Sequence, residues 1–600
     1  MLRAMLRRLL AAARARVPPS LEQVLALLEE GRLKEAESVA REACIARPDD
    51  AQPRQLLGHV LSQRGEFSSA IVALEQAREI DPDNAEVHYA LGRAHFGRYA
   101  FVASIAAFRS SLDVAPKWPP PWVSLADALA AIDSVDAAED AYRRALELSP
   151  DLAVAHYNYG NLLLRLGRAD EAVSAYKRAL ELKPGFKGAH TNLVYALNFL
   201  NSCTPEQVFE AHVAWAREHA EPLTAKAEPH ARPRRSRQPL RVGYVSPNFR
   251  AHAVTYFFEP VLRHHDSHAF RVYCYADVKL PDATTARLRG YGAIWTDVAG
   301  RSDEDVAARI RRDGIDILVD LTGLTENDRL LLFARKPAPI QITWNGYANT
   351  TGMTAIDYRI TDAYADPPGP SDALHVERLL RLPEIYMPFE APREDVAPAG
   401  PPSLERGFCT FGSFNAISKL NDRTIRLWSR ILAALPSARL MMLTVPQGRT
   451  RERIVAAFAS QGVTADRLDL RPRLDHAAFL AAHNDADIAL DAFPFHGTTT
   501  TAHTLWMGVP LITLSGRVHA GRVGVSMLSN AGLSDLVARS EDDYVALAVE
   551  LARDGARLQD LRRTLRARMC ASPNMDGARF TRHLEDAYRK VWAAYCETFA

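Results

Sequence analysis

Apolar and small residues in the first third of the chain recur with the spacing of packed helices. Prolines keep a fixed interval of 34 residues, at Pro48, Pro82, Pro116, Pro150 and Pro184. Small residues keep the same phase, at Gly58, Gly92, Ala126 and Gly160. Small side chains let antiparallel helices approach closely, and a proline after the second helix of a unit ends that helix. This period predicts an α-solenoid.

Five repeat units are clear over residues 21–186, and a degraded sixth unit over 187–220 lacks the terminal proline. The pattern resembles the tetratricopeptide repeat. Such solenoids hold extended peptides on a concave face, so protein acceptors are the expected partners. Asn158 and Asn192, one repeat apart, are predicted to bond a peptide backbone. Helix-surface asparagines without a ligand are the open alternative.

A different pattern follows a basic, proline-containing linker, in which short apolar runs alternate with helical stretches. Strands are predicted at LRVGYVS, FRVYCYA, IDILVDLTG and APIQITWNGY, and after a proline-rich break at FCTFGSFN, ARLMMLTV, LDLRPRL, ADIALDAF and PLITLSG. This predicts two Rossmann-like α/β lobes with mostly parallel sheets, whose ligand crevice lies at the carboxyl ends of the strands. A helix over 577–597 is expected to close the fold.

The predicted boundaries divide the chain into five parts. A basic N-terminal segment covers 1–20, the repeat arm 21–220, a linker 221–239, the N-terminal lobe 240–395 and the C-terminal lobe 404–600. The first residues could also be a transit peptide, but a frayed basic helix is the preferred interpretation.

The charge balance and the cysteines indicate which partners and which cellular compartment to expect. The 600 residues carry 73 basic against 72 acidic side chains, which is no electrostatic reason to expect nucleic acid or a membrane surface as partner. No apolar run reaches membrane-spanning length. Six scattered cysteines without metal-ligand spacing indicate a reducing compartment, so a cytoplasmic location is expected.

The segment DAFPFHGTTTTAHTLWMGVP, residues 491–510, predicts an anion site. The strand ends, the chain turns at Gly497, and a helix begins through consecutive threonines. Free N–H groups and hydroxyls at a helix N-terminus hold phosphate well. An ordinary threonine N-cap is the open alternative.

Together, the repeats and five long motifs resemble the SPINDLY and O-GlcNAc transferase family of protein O-glycosyltransferases. The motifs are RVGYVSPNFRAHAVTYFFEPVL, RKPAPIQITWNGYANTTG, TFGSFNAISKLNDRTIRLWSRIL, FPFHGTTTTAHTLWMGVP and GRVHAGRVGVSML. The resemblance implies a repeat arm fused to a GT-B enzyme that transfers a sugar from a nucleotide donor to Ser or Thr hydroxyls.

Site residues follow from the resemblance. Lys419 matches the family's essential lysine and would meet the β-phosphate, beside donors from Gly497, Thr498, Thr499 and Thr500. His252 matches a histidine near donor and acceptor; it would be the base, unless a donor phosphate oxygen takes the proton.

The remaining candidates are weaker. Arg522 matches a family arginine, with a sheet-edge ion pair as its equal alternative. Four further residues are expected near the sugar, namely Asn248, Asn349, Thr350 and Thr351. No cofactor or metal is expected, since Asp485 and Asp487 of a DxD sequence lead directly into a strand.

Departures from the animal pattern leave the donor open. His503 stands where that pattern has a ribose-binding Asp, and His476 and Phe479 replace Lys and His in the base-binding segment. Other phrases are closer to SPINDLY, whose plant members use GDP-fucose. Transfer of GlcNAc from UDP-GlcNAc is the first expectation; O-fucosylation, an inactive repeat scaffold and a transferase for small glycans or lipids are the alternatives. Self-association through the repeats is open.

Overall fold

A computed structural model of the protein describes residues 19–230 and 239–598. The predictions for residues 1–18, and for most of the basic part of the linker, lie outside the described residues. Among the helices described, none is both long enough and apolar enough to cross a membrane.

The first compact unit is a stack of helical pairs and contains the described residues up to Leu162 together with Glu181–Lys183. Its helices are α1 (Pro19–Glu29), α2 (Leu33–Ala46), α3 (Ala51–Gln63), α4 (Phe67–Ile80), α5 (Ala85–Gly97), α6 (Phe101–Val114), α7 (Pro119–Ala131), α8 (Val135–Leu148) and the start of α9 (Ala153–Arg165).

The small residues of the repeat are where helices touch. A Cβ on Gly58 would lie 2.4 Å from the Leu74 side chain, and one on Gly92 would lie 2.4 Å from the Phe108 ring. Close packing of this kind leaves no room for a larger side chain. The predicted α-solenoid is confirmed.

The second unit begins with the helices of the last repeats. These are α10 (Ala169–Leu182), α11 (Lys187–Leu197), α12 (Pro205–His219) and α13 (Glu221–Thr224). The Thr204 hydroxyl and the Gln207 side chain form a capping box that starts α12. Asn198 and His212 bond the buried Tyr347 hydroxyl of the N-terminal lobe at 2.9 and 2.7 Å. The degraded sixth unit is therefore packed on the N-terminal lobe.

The N-terminal lobe contains a parallel sheet of order β3-β2-β1-β4-β5-β6-β7. Its strands are β1 (Leu240–Ser246), β2 (Phe270–Ala276), β3 (Ile294–Asp297), β4 (Ile317–Asp320), β5 (Ile340–Thr343), β6 (Tyr358–Asp362) and β7 (Arg378–Leu382). Its helices are α14 (Thr255–His264), α15 (Ala283–Arg289), α16 (Asp303–Asp313) and α17 (Leu330–Ala334).

The C-terminal lobe repeats this plan with a parallel sheet of order β10-β9-β8-β11-β12-β13. Its strands are β8 (Thr410–Ser413), β9 (Arg439–Met442), β10 (Leu468–Leu470), β11 (Ile488–Leu490), β12 (Leu511–Leu514) and β13 (Val537–Ala538). Its helices are α18 (Ser403–Arg406), α19 (Asp422–Ala434), α20 (Arg449–Ala459), α21 (His476–Ala482), α22 (Thr499–Trp506), α23 (Val523–Asn530), α24 (Glu541–Arg553), α25 (Gly555–Ala571) and α26 (Gly577–Glu597).

Short 3₁₀ turns connect several of these elements. They are Asp372–Leu374, Ile417–Lys419, Ala465–Arg467, His483–Asp485, His519–Gly521, Ser534–Leu536 and Pro573–Met575.

Helix α26 crosses back from the C-terminal lobe to the N-terminal lobe. The Phe580 ring stacks on Trp344 at 5.8 Å between centroids, and Glu585 accepts the Asp266 backbone N–H at 2.8 Å. The predicted closing helix is confirmed with its bounds. It ties the two lobes together and holds the crevice between them.

The sequence patterns missed β3, β6, β7 and β13. These strands are short, and β3 and β7 leave several residues partly exposed, so their apolar content does not stand out. The predicted pair of Rossmann-like lobes is nevertheless confirmed.

Candidate functional site

The loop from β11 to α22 is built around a buried carboxylate. Asp491 accepts the backbone N–H groups of Ala492 at 3.0 Å and Gly497 at 2.9 Å, and the Thr513 hydroxyl at 2.9 Å. A Cβ on Gly497 would lie 2.3 Å from the Thr500 hydroxyl oxygen. Only glycine lets the turn fold this tightly against the first turn of α22.

The N-terminus of α22 presents backbone donors toward solvent. Within the described ranges, the amide N–H groups of Thr498, Thr499 and Thr500 have no hydrogen-bond acceptor. Thr498 makes no side-chain cap bond with any described residue, so the alternative of an ordinary threonine N-cap is wrong. The Thr500 hydroxyl donates to Asn415 Oδ1 at 2.9 Å, which anchors the helix to the loop after β8. An anion would satisfy these amides and the positive end of the helix dipole.

Lys419 lies beside this turn, at the end of the 3₁₀ turn that follows β8. Its Nζ donates to the His496 carbonyl oxygen, one residue before Gly497, and lies 4.7 Å from the centre of the Phe495 ring. Burial lowers the pKa of Lys419 to about 8, although the Asp491 carboxylate partly offsets this effect. A partly buried cation next to free amide donors is the arrangement that binds a diphosphate.

His503, about one turn into α22, lies in a pocket of aromatic rings. Tyr256, Phe389, His476 and Phe479 lie at 5.0, 5.6, 5.2 and 5.9 Å between ring centroids. Burial lowers the pKa of His503 to about 3, so the ring is neutral at pH 7. Its Nε2 is buried and has no hydrogen-bond partner in the described part of the chain. The structure thus brings His476, Phe479 and His503 together in one pocket.

Two residues of this pocket were not among the predicted site residues. Glu394, in the linker between the lobes, accepts from His476 Nδ1 at 2.7 Å, and the Tyr256 hydroxyl lies 3.3 Å from His476 Nε2. The carboxylate holds the imidazole ring in place, and the hydroxyl joins the N-terminal lobe to it. Tyr256 stands in the AHAVTY phrase, so this signal was available in the sequence.

His252 lies in the loop between β1 and α14 and is partly buried. Its Nδ1 accepts the Val254 backbone N–H at 3.2 Å, so the proton of the neutral ring is on Nε2. Burial, with a smaller effect from Arg250, lowers the pKa of His252 to about 4. In this geometry Nε2 is a hydrogen-bond donor, and the role of base stays a prediction.

Arg522 is held by uncharged groups. Its guanidinium donates to the carbonyl oxygens of Tyr364 at 2.8 Å and Gly516 at 3.0 Å, and to the Ser515 hydroxyl at 2.6 Å. These bonds fix the loop after β12 against the N-terminal lobe. The alternative of a sheet-edge ion pair is not observed among the described residues, and a donor-binding role stays a prediction.

The four residues expected near the sugar separate into two groups. Thr350 and Thr351 are fully buried and both direct their hydroxyls to the Glu377 carboxylate. Their predicted place in the sugar pocket is wrong, because the hydroxyls serve this buried network. Asn349 bonds Asn198 of the repeat junction at 2.9 Å. Asn248 follows β1 and its carbonyl accepts from Thr255 at 3.1 Å.

Of the two repeat asparagines, Asn158 is already bonded to another side chain of the repeat arm. The Asn158 amide donates to both carboxylate oxygens of Asp127, at 3.0 and 3.1 Å, and Tyr142 donates to the same carboxylate. Burial raises the pKa of Asp127 to about 6. Asn192 lies on α11, and peptide binding by both residues stays a prediction.

The DxD carboxylates are engaged with protein groups. Asp485 pairs with Arg406 at 2.8 Å and Arg471 at 2.7 Å. Asp487 accepts the backbone N–H groups of Ser403 at 2.9 Å and Thr410 at 2.8 Å. Neither side chain is arranged as an exposed metal clamp.

A cavity of about 310 Å³ lies between the repeat junction and the loop of the C-terminal lobe. Leu200 and Val208 line it from the helical side, and Phe493, His496 and Ser515 line it from the lobe. His496 lines this cavity, and its carbonyl oxygen accepts a hydrogen bond from Lys419. The cavity therefore adjoins the turn at Gly497.

Comparison with known proteins gives the same picture over most of the chain. The profile of glycosyl transferase family 41 matches residues 189–388 and 403–584, and tetratricopeptide repeat profiles match 58–97 and 121–184. A protein of Solanum lycopersicum named "Probable UDP-N-acetylglucosamine--peptide N-acetylglucosaminyltransferase SPINDLY" is 43% identical over 419 residues, 68% of this chain. An Arabidopsis thaliana protein with the same activity in its name, SEC, is 33% identical over 372 residues, 60% of this chain.

The chain matches less than half the length of these relatives, 44% and 37%. A solved structure of a mutant Thermobaculum terrenum O-GlcNAc transferase matches with a TM-score of 0.81 and 38% identity, covering 86% of this chain and 98% of that chain. Both the two-lobed fold and the sequence match extend from the last repeats to α26, and on these grounds the chain belongs to glycosyl transferase family 41.

Proposed function

We propose that this chain is a protein O-glycosyltransferase that moves GlcNAc from UDP-GlcNAc to Ser or Thr hydroxyls of proteins. The observation that carries the proposal is the contact between Lys419 and the turn at Gly497, directly before the uncapped N-terminus of α22. The names of the relatives supply the donor and acceptor class.

The reaction needs stabilisation of a leaving diphosphate. As the bond from the sugar to the phosphate oxygen breaks, negative charge grows on the phosphates. The Lys419 ammonium can donate a charge-assisted hydrogen bond to that oxygen. The backbone amides of the first turn of α22 can donate to it as well. With the DxD carboxylates committed to Arg406, Arg471 and backbone amides, we infer that this pair performs the task without a metal ion.

The aromatic pocket around His503 is the proposed nucleoside site. Phe479 and the ring of Tyr256 offer faces for stacking on a base, and both rings lie within 6 Å of the His503 ring, whose Nε2 has no partner among the described residues. A neutral imidazole can hydrogen-bond a ribose hydroxyl as donor or acceptor. His476, positioned by Glu394, adds a polar edge.

His252 is proposed to bind the sugar donor and not to act as the base that removes the acceptor proton. Its Nε2–H suits an oxygen of the sugar or diphosphate, since Nδ1 already accepts the Val254 amide. The acceptor hydroxyl then gives its proton to a phosphate oxygen of the donor as the new sugar–oxygen bond forms. This is the option that needs no second tautomer of the ring.

The acceptor side is proposed to lie along the cavity beside α11 and α12. That cavity adjoins the loop that carries His496, and it is lined by both apolar and polar groups. An extended chain guided by the repeats would present its hydroxyl there. Acceptor binding by the repeats follows from their tetratricopeptide pattern.

Transfer is tested by incubating the full chain with a Ser/Thr peptide library and either UDP-GlcNAc or GDP-fucose, with product mass as the readout. We expect addition of one N-acetylhexosamine and a larger thermal shift with UDP than with GDP. Addition of deoxyhexose would select the fucosyltransferase alternative. No transfer with either donor would favour the inactive scaffold, and a chain without residues 19–186 that keeps full activity on protein would remove the acceptor role of the repeats.

A matched pair of variants separates the chemistry from general damage. Lys419→Met should lower kcat for transfer by about 10²–10³. Lys279→Met, which changes an exposed lysine on the N-terminal lobe, should leave transfer unchanged. Undiminished transfer by the first variant would contradict the proposed site.

A further inference from the structure

Two histidines and a glutamate meet at the pair of helices that joins the repeats to the catalytic lobes. His190 lies in the first turn of α11, and Glu218 and His219 end α12. His190 Nδ1 is 3.0 Å from His219 Nε2 and 3.3 Å from a Glu218 carboxylate oxygen. The other Glu218 oxygen is 3.8 Å from His219 Nε2. The site described above uses none of the three.

These separations fit the edges of a small coordination tetrahedron. A Zn²⁺ ion bound by nitrogen at 2.0–2.1 Å in tetrahedral geometry separates its ligand atoms by about 3.3 Å. Each of the three residues offers one ligand atom, and these atoms lie within 4.8 Å of one another. The two shortest separations, 3.0 and 3.3 Å, are close to the tetrahedral value.

The charges beside the cluster are balanced. Lys187 and Asp328, which both act on His219, pair with each other at 2.8 Å. Glu218 supplies the carboxylate among the three candidate ligands.

The cluster is enclosed by packed side chains on one side and open to solvent on the other. The Trp215 ring lies 5.5 Å from the His219 ring and is fixed by a bond from its Nε1 to the Thr191 hydroxyl at 3.0 Å. The side chains of His190 and His219 are 13% and 9% exposed, whereas Glu218 is 46% exposed. An ion would enter from the glutamate side, and water would complete its coordination from there.

We propose that His190, Glu218 and His219 form a Zn²⁺ site that joins α11 to α12. Two imidazoles and one carboxylate are ligands that zinc accepts, with water in the fourth position. Since the ligands come from two helices, bound zinc holds the helical pair together and stabilises the junction of arm and lobes. The proposal is independent of the transferase activity.

The test uses the full chain after removal of any purification tag. The protein is first treated with a chelator to strip bound metal. Zinc is titrated in competition with a chromogenic chelator, and Co²⁺ is added separately, because tetrahedral Co²⁺ gives strong visible absorption. We expect one tight equivalent of Zn²⁺, a tetrahedral Co²⁺ spectrum, and a higher Tm with Zn²⁺ than with Mg²⁺.

Variants distinguish the site from adventitious binding by other histidines. Glu218→Gln should weaken zinc binding at least tenfold, and His190→Gln should remove the Co²⁺ spectrum. Glu210→Gln, exposed on the same helix, and His268→Gln, exposed on the N-terminal lobe, should leave both unchanged. If Glu218→Gln and His190→Gln retain the full equivalent, or if the unaltered chain binds none, the proposal is overturned. Glu218 is exposed, so its variant is expected to fold even if the histidine variant does not.

Discussion

Replacing Lys419 with methionine should lower activity and at the same time stabilise the free protein. The ammonium is charged at pH 7 although its pKa is about 8 in place of the usual 10.5. Burial therefore costs the folded state about 3 kcal/mol at pH 7, since a tenfold change in protonation is worth about 1.4 kcal/mol. Methionine fills similar space without a charge.

Part of this gain is offset by contacts that methionine cannot make. The bond to the His496 carbonyl and the contact with the Phe495 ring are together worth about 1–2 kcal/mol. A net stabilisation of about 1–2 kcal/mol remains, which for a lobe of this size raises Tm by roughly 2–4 °C per kcal/mol. Residues that weaken the free protein but serve the reaction are common at active sites.

The sign of the pH dependence follows from the lowered pKa. The charged form is penalised in the fold, so the penalty is complete below pH 8 and disappears as pH rises toward 10.5. The stability advantage of Lys419→Met should thus shrink between pH 8 and pH 10. Donor affinity behaves in the opposite way, since the ammonium attracts the diphosphate only while it is protonated. Affinity of the unaltered protein for UDP should fall between pH 7.5 and pH 9, whereas that of the variant should stay flat.

The assays are thermal unfolding of the free protein across pH, calorimetric titration with UDP, and transfer kinetics. Loss of a charged donor to the leaving group should lower kcat by about 10²–10³. Lys279→Met is the control for loss of a surface lysine. A variant with near-normal kcat, or one whose free protein is less stable at pH 7 than the unaltered protein, would refute this reasoning.

Three further changes test other contacts. Gly497→Ala forces a Cβ to within 2.3 Å of the Thr500 hydroxyl, so transfer should fall about 10²-fold with Tm nearly unchanged; transfer within threefold of normal would contradict the tight turn. Phe199→Ala removes the ring that stacks at 5.0 Å on Phe495, beneath Lys419. We expect a destabilisation of about 3 kcal/mol and a shift of the loss of UDP affinity to higher pH. An unchanged pH profile would disprove the effect of this ring on the pKa of Lys419. Glu377→Gln should destabilise the protein by about 2 kcal/mol without changing the Kd for UDP, and a large change in Kd would return the neighbouring threonines to the donor pocket.

The elements that carry the site were predictable because local pattern determines them. The apolar strands before Lys419 and before Gly497, and the threonines that follow the turn, have one satisfactory arrangement at the carboxyl edge of a parallel sheet. Their predicted strands agree with β8 and β11. The resemblance to a family then gave each residue a role, but it did not give the contacts.

Contacts between distant segments escaped prediction. Glu394 reaches His476 across 82 residues, and Glu377 accepts from the hydroxyls of Thr350 and Thr351, which are 27 and 26 residues away. Nothing in the local sequence shows which carboxylate will be buried beside which hydroxyl. The assignment of the two threonines to the sugar was wrong for this reason.

The sequence by itself determined the repeat arm, the two α/β lobes and the turn at Gly497 before α22, since period, alternation and a glycine before threonines are local properties. The tertiary structure alone decided what surrounds them. It stacked Phe199 of the last repeat on Phe495 beneath Lys419, and it brought His190 to His219 across a helical hairpin. Packing of nonlocal surfaces sets burial, and burial lowers the pKa of the lysine and of the histidines on which the proposed chemistry depends.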